Sequence, residues 1–78
     1  MPTVGGIGPY RFFFFASDRE EPPHVHVERD GAAAKVWLSP LRLAANFGFK
    51  AREVVRVESL VALNRERFLE AWHEFFAR

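Results

Sequence analysis

A period of two governs the hydrophobic positions in the first half of the chain, and a period near 3.6 governs the second. Tyr10–Phe15 predicts a strand, with Tyr10, Phe12 and Phe14 on one face and Arg11, Phe13 and Phe15 on the other. With apolar side chains on both faces, this strand belongs inside a sheet rather than at its edge. His24–Arg29 and Ala32–Leu38 predict a second and a third strand joined by Asp30-Gly31. That dipeptide is a strong hairpin signal, because a type I′ turn needs positive φ at both central positions. Counting back from the turn sets the register. Arg29 faces Ala32, Glu28 faces Ala33, Val27 faces Ala34, His26 faces Lys35, Val25 faces Val36 and His24 faces Trp37. One face of the hairpin is then Val25, Val27, Ala34, Val36 and Leu38, which suits a core. The other is His24, His26, Glu28, Lys35 and Trp37. The alternation on the two strands agrees, and this supports the register.

Around these strands the pattern is less regular. Met1–Pro9 holds three Gly and two Pro and reads as a loose lead-in. Residues 16–23 form a charged loop, Asp18-Arg19-Glu20-Glu21, closed by Pro22-Pro23, which is a rigid start for the strand that follows. Ser39-Pro40 ends the third strand. Leu41–Ala45 reads either as a short fourth strand or as irregular chain, and Asn46-Phe47-Gly48-Phe49 as a turn pinned by two aromatics. From Ala51 to Ala77, Val54, Val57, Val61, Phe68, Trp72 and Phe75 recur on one helical stripe. A single helix over that span would be about 40 Å long at ~1.5 Å per residue, too long for a domain this small. It would also set Arg65 within the apolar stripe. Asn64 is a favourable N-cap, so the expectation is two helices, 51–62 and 65–77, broken at Leu63-Asn64. The predicted fold is α+β. A three- to four-stranded antiparallel sheet is followed by two C-terminal helices packed on one face, in one domain over residues 1–78.

Composition narrows the function classes. The chain has 78 residues, 49% of them hydrophobic and nine of them Phe, a rich core for a length that is marginally stable alone. A partner or a homodimer is therefore expected. No cysteine is present, which excludes disulfides and thiolate metal sites and suits a reducing cytoplasm. Eleven basic residues meet ten acidic ones, for a net charge of +1. That gives no long-range pull on nucleic acid, so any RNA contact must come from a local patch. The longest apolar run, Phe12–Ala16, is far too short for a membrane span, and no membrane partner is expected. Gly5-Gly6-Ile7-Gly8 precedes a strand and leads into no helix, so it is not a phosphate loop. Trp72, Phe68, Phe75 and Phe76 read as core, and any of them left exposed would mark an interface. His73 falls on the polar side of the last helix. The arginines and glutamates between 52 and 74 form a solvated, mixed-charge face.

Four stretches carry a resemblance: Tyr10–Phe15, Glu21-Pro22-Pro23-His24-Val25-His26-Val27-Glu28, Ala34–Pro40, and Leu69-Glu70-Ala71-Trp72-His73-Glu74-Phe75-Phe76. Together they resemble a small bacterial family catalogued only as a domain of unknown function, number 4160, over nearly the whole chain. The resemblance implies a short stand-alone protein, often encoded beside a second small protein in toxin–antitoxin-like gene pairs. It carries no accepted active site and implies no cofactor. Members of the family often place a His just after the loop Asp, where this chain has Arg19.

His24 and His26 share a strand face, roughly 6–7 Å apart at Cα, and admit three readings. The first is a metal site in which His24 and His26 chelate an ion through imidazole nitrogens. Further ligands would come from Glu28, from Asp18, Glu20 or Glu21 of the loop, or from the distant His73, and Lys35 opposite His26 would oppose the ion. The second is a metal-independent endoribonuclease. His24 and His26 would transfer protons and Lys35 would stabilise phosphate charge, while Trp37 stacks a base and Arg11, Arg19 or Arg42 completes the patch. The third is structural, with His24 stacked on Trp37 and His26 hydrogen-bonded to a loop backbone group or carboxylate, so that the pair fastens the Pro-Pro loop to the sheet. The functional expectation drawn from residues and resemblance together is a toxin-like or regulatory protein. It would bind a cognate small protein encoded nearby, with RNA as a second ligand.

Overall fold

The computed structural model describes residues 3–77; Met1, Pro2 and Arg78, at the ends of the predicted domain, lie outside the described residues. Five strands form one antiparallel meander in the order β1-β2-β3-β4-β5. They are β1 (Thr3–Ile7), β2 (Tyr10–Phe13), β3 (His24–Arg29), β4 (Ala32–Leu38) and β5 (Leu41–Phe47). Two helices follow, α1 (Ala51–Leu63) and α2 (Arg65–Phe75), and both pack on the sheet.

The hairpins are written locally. Asp30 and Gly31 sit at φ 48° and 84°, the positive pair that a type I′ turn demands. The register that results runs from Arg29 opposite Ala32 to His24 opposite Trp37, as the alternation predicts. Ser39-Pro40, a cis peptide, connects Leu38 to its partner Leu41, and β5 then extends to Phe47, beyond the short fourth strand of the sequence reading. An irregularity in the β4–β5 ladder between Lys35 and Val36 leaves Ala44 without a directly opposed residue.

The expectation of a loose lead-in is corrected for Thr3–Ile7, which pairs with β2. Ile7 opposes Tyr10 across Gly8-Pro9, and Gly8 takes φ 57°. A glycine at positive φ in the first turn position is a II′-type hairpin signal that the Gly and Pro content obscured. Gly5 also lies beneath Arg67, whose Nη2 would stand 2.6 Å from an added Cβ. The glycines therefore belong to an ordered strand. β2 is flanked by β1 and β3, consistent with its apolar faces. It ends at Phe13, two residues before the predicted limit, because Phe14 turns into the connection to β3.

The core lies between one sheet face and the helices. Tyr10, Phe12, Val25, Val27, Ala34, Val36 and Leu38 meet Val57, Val61, Phe68 and Trp72, all of them buried. Phe12 and Phe68 have ring centroids 5.1 Å apart. Burying one such side chain is worth about 1.5–3 kcal/mol before entropy is charged against it. The helical span breaks at Asn64, so Arg65 escapes the apolar stripe and its Nε donates to the Leu38 carbonyl. Asn64 is at the predicted break but in a different role. Its side chain makes no N-cap bond to α2; Nδ2 instead donates to the Leu60 carbonyl at 2.8 Å and closes α1. In the β5–α1 turn, Asn46 clamps both backbone groups of Phe49. Phe49 is buried there, whereas Phe47 is 68% exposed and pins nothing.

Candidate functional site

The face of the sheet away from the helices carries Arg11 and Phe13 from β2, His24, His26 and Glu28 from β3, and Lys35 and Trp37 from β4. The connection between β2 and β3 folds over one end of this face as a short 3-10 helix, Ala16–Glu20. Asp18 of that helix is the hub. Its Oδ2 accepts the Phe15 backbone N–H at 2.7 Å, lies 3.0 Å from His26 Nε2 and 3.2 Å from His24 Nε2. The three side chains offer ligand-type atoms that all fall within 4.8 Å of one another.

His24 and His26 are side by side, with ring centroids 5.0 Å apart. His24 has no exposed surface. Trp37 meets it edge-on at 5.3 Å, and Trp72 of α2 at 5.0 Å. Its Nδ1–H donates to the Pro22 carbonyl at 2.9 Å, since a carbonyl can only accept. His24 Nε2 is within ion-pair distance of Asp18 Oδ2, yet it makes no hydrogen bond and is left as a buried atom without a partner. The two facts agree once direction is considered: the contact is a close approach of badly aligned groups. His26 is stacked on Phe13 at 5.4 Å and meets Phe15 at 4.7 Å. Burial pushes its imidazole below the ordinary 6.5, against the pull of the Asp18 carboxylate.

The other sequence candidates divide. Lys35 faces His26 in register, but its ammonium is engaged by Glu21 and lies 4.6 Å from the Trp37 ring. This pairing holds the Glu21 carboxyl below its ordinary range. Arg11 pairs with Glu28 and covers Phe13, so these two are a surface ion pair beside the cluster. Arg19 leaves the cluster altogether, and its Nη2 donates to the Phe76 carbonyl after α2. Arg42 opposes Trp37 and joins it, with Pro22, Ser39 and Pro40, around a small cleft of about 190 Å³. His73 is exposed on α2, as its helical position predicts.

Two participants were not legible in the spacing. Asp18 was one of several loop carboxylates, and only the 3-10 turn selects it; Glu20 is exposed instead. Trp72 reads as core and is core, but it also closes the inner side of His24. The imidazoles hold Pro22 and Asp18 to the sheet as the structural reading expects, but its stacking of His24 on Trp37 is corrected: the two rings meet edge to face, at 82°. A second polar region was missed because its residues come from two segments distant in the chain, Arg29 and the stretch 50–56. Arg29, Lys50, Arg52, Glu53 and Arg56 line an open depression at the start of α1. Among the described residues, no helix is long and apolar enough to cross a membrane.

Residues 9–73 match the family described as Domain of unknown function (DUF4160). No curated protein and no solved structure matches the chain.

Proposed function

The chain belongs to the DUF4160 family, and from that footing we propose that it works by binding a small protein encoded beside it, as one member of a toxin–antitoxin-like pair. The observation that carries this reading is an aromatic surface where the 3-10 helix meets the end of α2. Phe75 is 37% exposed there, whereas Phe15, 40% exposed, packs its ring against Phe13 and His26. Phe75 and Phe76 line a shallow open cleft together with Ala16 and Arg19. Exposed aromatic groups that adjoin one another mark contact surfaces, and aromatics and Arg dominate interface energies. The hydrogen bonds of His26 to Asp18 and of His24 to the Pro22 carbonyl support the reading further. They fix the loop half of the surface in advance, so little order has to be gained on binding. A net charge of +1 suits a protein partner better than a polyanion.

The endoribonuclease alternative has less support. A general acid or base must reach the proton it moves, and His24 has no exposed surface. Lys35, the charge stabiliser in that scheme, is occupied by Glu21. For RNA as a second ligand, the supporting positive charge lies at Arg29, Lys50, Arg52 and Arg56, away from the histidines.

Co-expression with the product of the adjacent gene tests the proposal. The expected result is a stable heterocomplex at micromolar concentration. Phe75→Ser should weaken it by about tenfold or more, roughly 1–2 kcal/mol. Elution of the chain alone, or as a homodimer that the neighbouring protein does not open, overturns the reading.

A further inference from the structure

We infer that Asp18, His24 and His26 form a binding site for one divalent transition-metal ion of the zinc type, held by Asp18 Oδ2, His24 Nε2 and His26 Nε2. The inference stands apart from the partner reading, whose contact surface is the cleft of Ala16, Arg19, Phe75 and Phe76.

The spacing is the first support. Two ligands each about 2.0–2.1 Å from a tetrahedral zinc stand about 3.3 Å from one another. Asp18 Oδ2 is 3.2 Å from His24 Nε2 and 3.0 Å from His26 Nε2. Those two pairs already stand near ligand spacing, and all three ligand-type atoms fall within 4.8 Å, so an ion bound to all three draws the two imidazole nitrogens toward one another.

The second support is independent of spacing. His24 Nε2 is buried without a hydrogen-bond partner. Its ring hydrogen is committed at Nδ1 to the Pro22 carbonyl, which leaves a lone pair at Nε2 beside a carboxylate oxygen. Two electron-pair donors in contact repel, and a cation between them reverses the sign. The surroundings also match those of metal ligands. A ligating imidazole usually donates its other N–H to a carbonyl, and a ligating carboxylate is itself hydrogen-bonded. Pro22 O does the first for His24, and Phe15 N–H does the second for Asp18.

His26 gives up its Nε2–H···Oδ2 hydrogen bond, moves that hydrogen to Nδ1, and offers Nε2 to the ion. Lys35 does not oppose the charge alone, because Glu21 engages it. Two imidazoles and one carboxylate suit zinc, cobalt or nickel better than calcium or magnesium. Three protein ligands leave a fourth position, and it opens on the side of His26, whose side chain is 17% exposed while that of His24 is 0% exposed.

Calorimetric titration of the metal-free full chain with zinc chloride tests the site. One zinc per chain is expected. Asp18→Asn keeps an oxygen for the Phe15 N–H but loses the charge, and His26→Gln removes one nitrogen ligand. Each should weaken binding by more than the roughly tenfold to hundredfold that loss of an outer hydrogen-bond partner costs. Absence of binding at near-stoichiometric zinc, or binding that both variants retain, overturns the inference. Should a variant fail to fold, imidazole nitrogen NMR of the unaltered chain decides. Zinc must shift both Nε2 resonances, and unmoved resonances overturn the site.

Discussion

His24 is held on every side: Pro22 O accepts from one ring nitrogen, Asp18 abuts the other, and Trp37 and Trp72 contact the ring. Loss of this side chain leaves a cavity and an unpaired carbonyl. We predict that His24→Ala lowers the stability of the metal-free chain by about 2–4 kcal/mol in urea denaturation. His26→Ala should cost less, about 1–2 kcal/mol, because its ring is partly exposed and forms one such bond. Equal and negligible losses would contradict the clamp. Which residues share this face was legible from i, i+2 spacing and the Asp-Gly turn. That Asp18 would bond His26 and abut His24 was not, since carboxylates at 18, 20 and 21 are equivalent until the 3-10 turn orients them.

At the scale of elements, junctions are made by a few charged groups. Glu53 in the first turn of α1 accepts the Tyr10 hydroxyl at 2.8 Å and pairs with Arg29 at the end of β3. The Tyr10 hydrogen bond, with Arg29 beside it, holds the Glu53 carboxyl below its ordinary 4.5. A carboxylate depressed in the folded state adds stability that is complete above its unfolded pKa and disappears as pH falls through the folded one. Glu53→Gln should therefore unfold more easily than the parent chain at pH 7. The gap should close as the pH is taken below 4.5. A constant difference in thermal midpoint across that range would remove the ion pair from the account. Element boundaries followed local chemistry where the signal was singular. Asp30-Gly31 fixed a hairpin, while Gly8-Pro9 carried an equally local turn whose partner strand lacked the usual alternation.

For the whole molecule, a single core joins sheet and helices, and Phe12, Val25, Val36, Val57 and Phe68 all have no exposed surface. Unfolding should be a single cooperative transition. Trp72 reports the core and Trp37 the opposite sheet face, so tryptophan fluorescence and far-ultraviolet circular dichroism should give coincident urea midpoints. Phe12→Ala should lower both together by about 3–5 kcal/mol. Separated transitions would show that the sheet and helices fold as distinct units. The partner surface also belongs to this scale, since Ala16 and Arg19 come from one part of the chain and Phe75 and Phe76 from another.

The residue order alone determined the β3–β4 pairing, the α+β class, the two-helix ending and the histidine face. Each rests on forces between near neighbours: side-chain alternation, positive φ at a tight turn, and the length limit on one helix. Tertiary structure decided that Thr3–Ile7 becomes a fifth strand, that Asp18 rather than Glu20 meets the imidazoles, and that Trp72 closes over His24. Those outcomes depend on which distant surfaces meet. Burial then determines whether a polar atom such as His24 Nε2 retains water or loses it, a free energy absent from any local pattern.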